Sequence, residues 1–355
     1  RSRRAAGYGR LMTGSNPVSA SDPVPAPASG PVPGPALRPG ALLARTREEL
    51  AAALAGDAAP RAVVMTMGAL HEGHFDLVRE AARRVGPTGT VVVTIFVNPL
   101  QFAPTEDLDA YPRDLEGDLA GLARTLTGAD GTLGVGRLIV FAPTPEVIYP
   151  SGQPAVRIDP GPIATVLEGR TRPTHFAGVC QVVLTLMHLT APRWALFGRK
   201  DAQQLAIIES MVRDLAVPLE IVPVDIRRES DGLAMSSRNA YLSPEQRHQA
   251  LALSRALQAG RDAAAQATGS RPDPAAIRQA TLASLEAADG VEIDYVALVA
   301  PDSFEDLAGA GLGLPRSEPA GEDKGEGLPA VGLLAVAARV GTTRLIDNAL
   351  IDLRP

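Results

Sequence analysis

The sequence predicts an α/β protein: a parallel sheet covered by helices over residues 41–226, then a smaller α+β domain over 227–355 acting as a lid. Three observations carry this. Residues 90–97 form a β-branched, apolar run with no polar face, as in a central parallel strand buried under helices. That run follows a strand at 62–66 and a helix at 74–84, a strand–helix–strand unit that crosses over right-handed by default. Beyond residue 240 the composition shifts to Ala-rich amphipathic helices at 244–268 and 273–288, followed by strands at 291–299 and near 331–340.

Composition narrows the function classes. A chain of 355 residues is long enough for two cores, and its net charge of −6 argues against a nucleic-acid partner. Residues 1–40 contain eight prolines and six glycines without apolar periodicity. They cannot bury enough surface to offset their ordering entropy, so disorder is expected there and in the Gly/Pro/Glu-rich insertion 309–329. A single cysteine, Cys180, excludes an internal disulfide and a Cys-rich zinc site. No stretch approaches the roughly 18–20 uninterrupted apolar residues of a membrane span, and no apolar region follows the basic start. The expectation is a cytoplasmic, soluble protein.

Taken in order, Thr46 and Glu49 form a capping box ahead of Leu50 and Leu54. After the 62–66 strand comes a glycine-containing turn and a helix start bearing His71 and His74. Their i,i+3 spacing, with the unpaired N–H groups of a helix N-terminus, suits a phosphate. The same local pattern fits a polar helix start with two solvated histidines equally well. At the end of the 90–97 strand, Asn98 and Gln101 are placed to hydrogen-bond a substrate, since ligands of open α/β sheets bind at the strands' carboxyl ends; an ordinary Asn-Pro turn is the alternative. A helix at 114–126 carries Asp114, Glu116 and Asp118 as a solvated face, one of which could assist a magnesium ion on a phosphate. Strands follow at 137–141, 194–197 and 219–224. Between the first two, Arg172 and His175 precede a helix at 179–190, another anion-binding entrance. Lys200 lies just past a strand end, suited to a phosphate, while Asp201 could be a helix N-cap. The segment 227–239 is expected to be a flexible loop in which Ser236, Ser237 and Arg238 close over a nucleotide. A linker with helix-capping serines fits it as well.

The blocks Met67-Gly68-Ala69-Leu70-His71-Glu72-Gly73-His74, Ile95-Phe96-Val97-Asn98-Pro99-Leu100-Gln101-Phe102, Tyr111-Pro112-Arg113-Asp114, Arg172-Pro173-Thr174-His175-Phe176, Phe197-Gly198-Arg199-Lys200-Asp201 and Asp231-Gly232-Leu233-Ala234-Met235-Ser236-Ser237-Arg238-Asn239 occur in that order. In order and spacing they resemble the pantoate–β-alanine ligase family of the HxGH nucleotidyltransferase-like superfamily, from about residue 42 to 353. The resemblance implies a Rossmann-like N-terminal domain, a smaller C-terminal domain and a homodimer. It implies condensation of pantoate with β-alanine through a pantoyl adenylate, using ATP and Mg²⁺ and releasing AMP and diphosphate. By motif, Met67, Gly68, Ala69, Leu70, His71, Glu72, Gly73 and His74 would line the ATP site, with His74 as proton donor. Gly198, Arg199, Lys200, Asp201, Arg227, Met235, Ser236, Ser237 and Arg238 would also contact ATP. Gln101 would bind pantoate and face β-alanine, Gln204 would bind pantoate, and Asp118 matches an acidic position near the magnesium. Met65, Arg199 and Ala202 depart from the family's usual proline, acidic residue and aromatic. Another HxGH nucleotidyltransferase, or a catalytically weakened nucleotide-binding homologue, is the alternative.

Overall fold

Six parallel strands, β1 (Ala41–Ala44), β2 (Arg61–Thr66), β3 (Thr90–Ile95), β4 (Arg137–Phe141), β5 (Trp194–Gly198) and β6 (Glu220–Val224), pair in the order β1-β4-β3-β2-β5-β6. The computed structural model describes residues 41–102, 108, 111–128, 131–267, 270–314 and 328–355. The disorder expected of 1–40, and of 315–327 within the 309–329 insertion, lies outside them. Residues 309–314 are irregular chain, yet Leu314 is buried.

Helices cover both faces of this sheet. One face packs under α1 (Arg47–Leu54), α6 (His175–Thr190) and α7 (Ala202–Asp214), and the other under α2 (Glu72–Val85) and α3 (Leu115–Leu126). Double coverage is why Val91, Val92 and Val93 of β3 are all fully buried. Single helical turns α4 (Pro145–Ile148) and α5 (Glu168–Thr171) lie in the connection from β4 to β5. The Thr46–Glu49 capping box forms as expected.

Two helix starts differ from the sequence reading. His71 is the N-cap of α2 rather than a residue on its face. Helix α6 begins at His175 instead of 179, passing through Gly178. A Cβ on Gly178 would lie 2.2 Å from the Leu100 carbonyl oxygen, so glycine here permits close approach rather than ending the helix.

Strand order fixes the crevice. From β2 the chain builds β3 and β4 on one side, then crosses back to place β5 and β6 on the other. The turns after β2 and β5 therefore meet where the order reverses, the place at which open α/β sheets bind ligands.

The remaining chain forms α8 (Pro244–Ala265), α9 (Pro274–Glu286) and an antiparallel sheet of β7 (Val291–Val299), β8 (Val331–Val340) and β9 (Thr343–Asp352). Helices α8 and α9 cover one face of it. The other face shares an apolar cluster with Val166, Leu167 and Ala206 of the first part, and the described residues fall in one compact unit. No helix of the described residues is long and apolar enough to cross a membrane.

Candidate active site

The turn after β2 is held in a strained form by a buried carboxylate. Gly68 and Ala69 both have positive φ, 88° and 52°. Asp118 on α3 accepts the Ala69 and Leu70 amides at 3.1 and 2.7 Å, offsetting a conformation that costs a non-glycine residue about 1–2 kcal/mol. Burial raises the Asp118 pKa, against these two amides that lower it. Both Asp118 carboxylate oxygens are engaged by these amides. Among the described residues no group of three or more His, Cys, Asp or Glu could hold a metal ion.

The same turn arranges the histidines. The His71 Nδ1 accepts the Gly73 amide at 3.2 Å, and the His74 Nδ1 accepts the His71 amide at 3.3 Å. The rings lie 4.1 Å apart between centroids. With each Nδ1 accepting, the neutral ring's proton sits on Nε2, giving two adjacent N–H donors. Burial, then the Lys200 charge, lowers the His71 pKa; burial, then the His71 charge, lowers that of His74 to about 3. Both rings are neutral near neutral pH.

The β5 turn brings the cations. Gly198 ends the strand, and Arg199–Asp201 form a single 3₁₀ turn. Lys200 and Asp201 both act electrostatically on the two histidines. Asp201 occupies the N-cap position of α7 but makes no side-chain cap, lying instead 3.6 Å from the Lys200 ammonium. Lost solvation raises its pKa, but Lys200, Arg238 and His175 bring it below the ordinary carboxylate value. Arg199 turns outward to Asp225 at 3.2 Å, a surface pair of little energetic weight.

The segment after β6 is tied down rather than flexible. Arg228 bridges to Ala234 across the turn, and Met235 donates its amide to the Arg227 carbonyl. Asn239 donates to Glu229 at 2.7 Å, and Arg247 on α8 pairs with Glu229 and Asp231, both at 2.7 Å. Ser236 caps the 3₁₀ turn Ser237–Tyr241, and Arg227 pairs with Asp76 of α2 at 3.2 Å. This fixes Arg238 beside Lys200, Arg172, His175 and Gln204 around a cavity of ≈ 50 Å³.

The carboxyl end of β3 divides its two candidates. Asn98 is fully buried, donating to the Gly178 carbonyl and accepting from the Leu100 amide and the Tyr149 hydroxyl. These bonds tie its side chain into the turn at the end of β3. The Gln101 side chain has no hydrogen-bond partner among the described residues, while its carbonyl is held by His175 Nδ1–H at 3.1 Å and Arg172 at 3.3 Å. Gln203, passed over in the sequence, is locked by Ile163, Val166 and Glu168, and it lines the cavity beside Gln204.

Sequence reading also missed the contribution of β9. Asn348 donates to the Arg199 and Lys200 carbonyls, and Asp347 holds Arg228 through two bonds. The available signal was an adjacent Asp and Asn in a segment otherwise patterned as a strand.

The family model described as pantoate-beta-alanine ligase matches residues 43–350. A pantothenate synthetase from Nocardioides sp. is 50% identical over 313 residues, covering 86% of this chain and 84% of the relative. One from Frankia alni is 52% identical over 288 residues, covering 81% and 82%. The crystal structure of pantothenate synthetase from Thermus thermophilus superposes with a TM-score of 0.73 at 41% identity, covering 88% of this chain and 99% of that one. The Francisella tularensis pantoate-beta-alanine ligase complexed with beta-gamma ATP and beta-alanine has a TM-score of 0.62 at 28% identity, covering 87% and 97%. Matched in sequence and fold over nearly all of its described residues, the chain belongs to the pantoate–β-alanine ligase family.

Proposed function

We propose that this chain condenses pantoate with β-alanine, using ATP and releasing AMP and diphosphate. The observation that carries the proposal is Lys200 at the sheet's reversal point, which acts electrostatically on His71 and His74 and lines a cavity with Arg238. Pantoate's carboxylate oxygen attacks the α-phosphorus of ATP, the bond to the β-phosphate oxygen breaks, and diphosphate leaves. Lys200 and Arg238 offset the repulsion between the two anions and stabilise charge on the leaving group. His71 and His74 donate Nε2–H to phosphate oxygens. With its pKa at about 3, the substrate-free His74 has no imidazolium proton to give near neutral pH, so its role here is hydrogen bonding. The β-alanine amine then attacks the acyl carbonyl and AMP departs with the carboxylate's former oxygen. The adenylate already activates the acyl group, so alignment is the protein's main contribution.

Gln101 and Gln204 bind pantoate in this reading, with Arg172 and His175 holding the Gln101 turn in place. Met67 through His74, Gly198 through Asp201, Arg227 and Met235 through Arg238 surround ATP. Mg²⁺, implied by the family resemblance, would supply neutralisation of phosphate charge, with Asp118 the acidic residue that the resemblance places near it. Residues 227–355 act as a lid in this reading, with Arg238 of the 227–241 segment and Asn348 of β9 lining the cavity. A homodimer, from the family resemblance, and a cytoplasmic location, from composition, complete the reading; light scattering on the purified chain tests the first.

The decisive assay supplies ATP, pantoate and β-alanine and follows AMP. Turnover is expected only with all three present. AMP release indifferent to β-alanine, or a requirement for CTP, would point to another nucleotidyltransferase, and ATP binding without turnover to a weakened homologue.

A further inference from the structure

Neighbouring residues on β9, Asp347 and Asn348, each grip one of the two cationic segments of the site. The Asn348 Nδ2 donates to the Arg199 carbonyl at 3.0 Å and to the Lys200 carbonyl at 2.9 Å. One amide group thus sets two consecutive peptide planes, and with them the Lys200 backbone. Nothing local does this. Neither the 3₁₀ turn nor α7, which follows it, has a side-chain cap. Asp347 takes the Arg228 guanidinium through two oxygens, at 2.7 and 3.0 Å, and accepts the Asn348 amide at 2.8 Å. Arg228 also donates to the Gly232 carbonyl, closing the turn that leads into Met235 and Arg238. Both side chains are almost wholly buried, 3% and 6% exposed, on a strand where Asp and Asn are disfavoured.

We infer that Asp347 and Asn348 are positioning residues for the reaction, setting the separation of Lys200 from Arg238 and so the fit to the triphosphate. The inference rests on the ligase reading above. Each residue acts through a cation it does not itself replace. Loss of the Asn348 amide lets the 199–201 turn relax and moves Lys200 off its phosphate, and a misplacement of ~1 Å can reduce rate on the order of 10²-fold.

The test is a double-mutant cycle on the full chain, read as pantoate-dependent ATP–diphosphate exchange, the adenylation half-reaction. N348A is expected to lower exchange kcat by about 10- to 100-fold while leaving the KM for β-alanine in the complete reaction unchanged. Added to K200A, the same substitution should cost less than about 2-fold more, because the cation it positions is gone. N348D keeps the side chain's size but sets a carboxylate against the two carbonyls, so it should match or exceed the N348A loss, and it serves if N348A does not fold. Wild-type exchange in N348A or N348D, or the same fold-loss in both backgrounds, overturns the inference. A wild-type chain that forms no β-alanine-dependent AMP would defeat the ligase reading instead, whatever the variants do.

Discussion

Lys200 is the side chain on which adenylation depends most. It is 18% exposed, sits within the electrostatic reach of both histidines, and is held from behind by β9. Lys200→Ala should lower adenylate formation by on the order of 10²-fold or more, as for loss of a transition-state charge contact. An unchanged kcat would remove Lys200 from the mechanism. His74 makes a separate pH prediction. Burial, then the His71 charge, lowers its pKa from 6.5 to about 3 in the fold. Between those values the unfolded chain carries the extra proton, so stability falls as pH drops from 6.5 toward 3, and this term is absent above 6.5. His74→Gln should flatten that part of the profile. Urea midpoints at about pH 7 and about pH 4.5 should therefore lie further apart for the wild type than for the variant. Equal spacing would mean that the ring titrates as it does in water.

At the scale of elements, the second sheet is fastened to the first part by a compact ionic network. Arg344 on β9 forks onto Glu168 of α5 at 2.7 and 2.8 Å and onto Asp294 of β7 at 2.7 and 2.9 Å. The Tyr295 hydroxyl donates to Glu168 as well, at 2.9 Å. Arg344 and Glu168 are each 15% exposed. Removing one partner of such a pair strands the other, which typically costs about 3–5 kcal/mol. Arg344→Ala should lose about that much in urea denaturation, and Arg344→Ala with Glu168→Gln should lose less than Arg344→Ala alone. Additive losses would show the pair to be uncoupled. A lid role for residues 227–355 has to work against this network and the apolar cluster beneath it. Closure is therefore better sought as a small shift of β9 and the 227–241 segment than as wide opening.

Across the whole molecule, the family match begins at residue 43, beyond the proline- and glycine-rich residues 1–40. Deleting residues 1–40 should leave turnover and Tm nearly unchanged; a large loss of either would give that segment a role. The departures at Met65, Arg199 and Ala202 are compatible with the fold. Met65 packs against the main core, Arg199 reaches outward to Asp225, and Ala202 lines the cavity.

The sequence by itself determined the covered parallel sheet, the later Ala-rich helices, and the order of the blocks that mark the family. Hydrophobic periodicity and turn chemistry are local, so β3, β4, β7 and β8 were legible. Strand β9 was not, because Arg344, Asp347 and Asn348 break its apolar pattern. Those polar residues are buried only because partners come from α5, the 199–201 turn and the 227–239 segment. The partners of neighbouring amides depend on the tertiary structure: Asn98 bonds Gly178, 80 residues away, and Gln203 bonds Ile163 and Val166. It likewise turned His71 from a helix-face residue into a cap and made Asp118 the anchor of the histidine turn. Such assignments rest on which donors and acceptors meet across the fold, a matter of long-range geometry that no local pattern encodes.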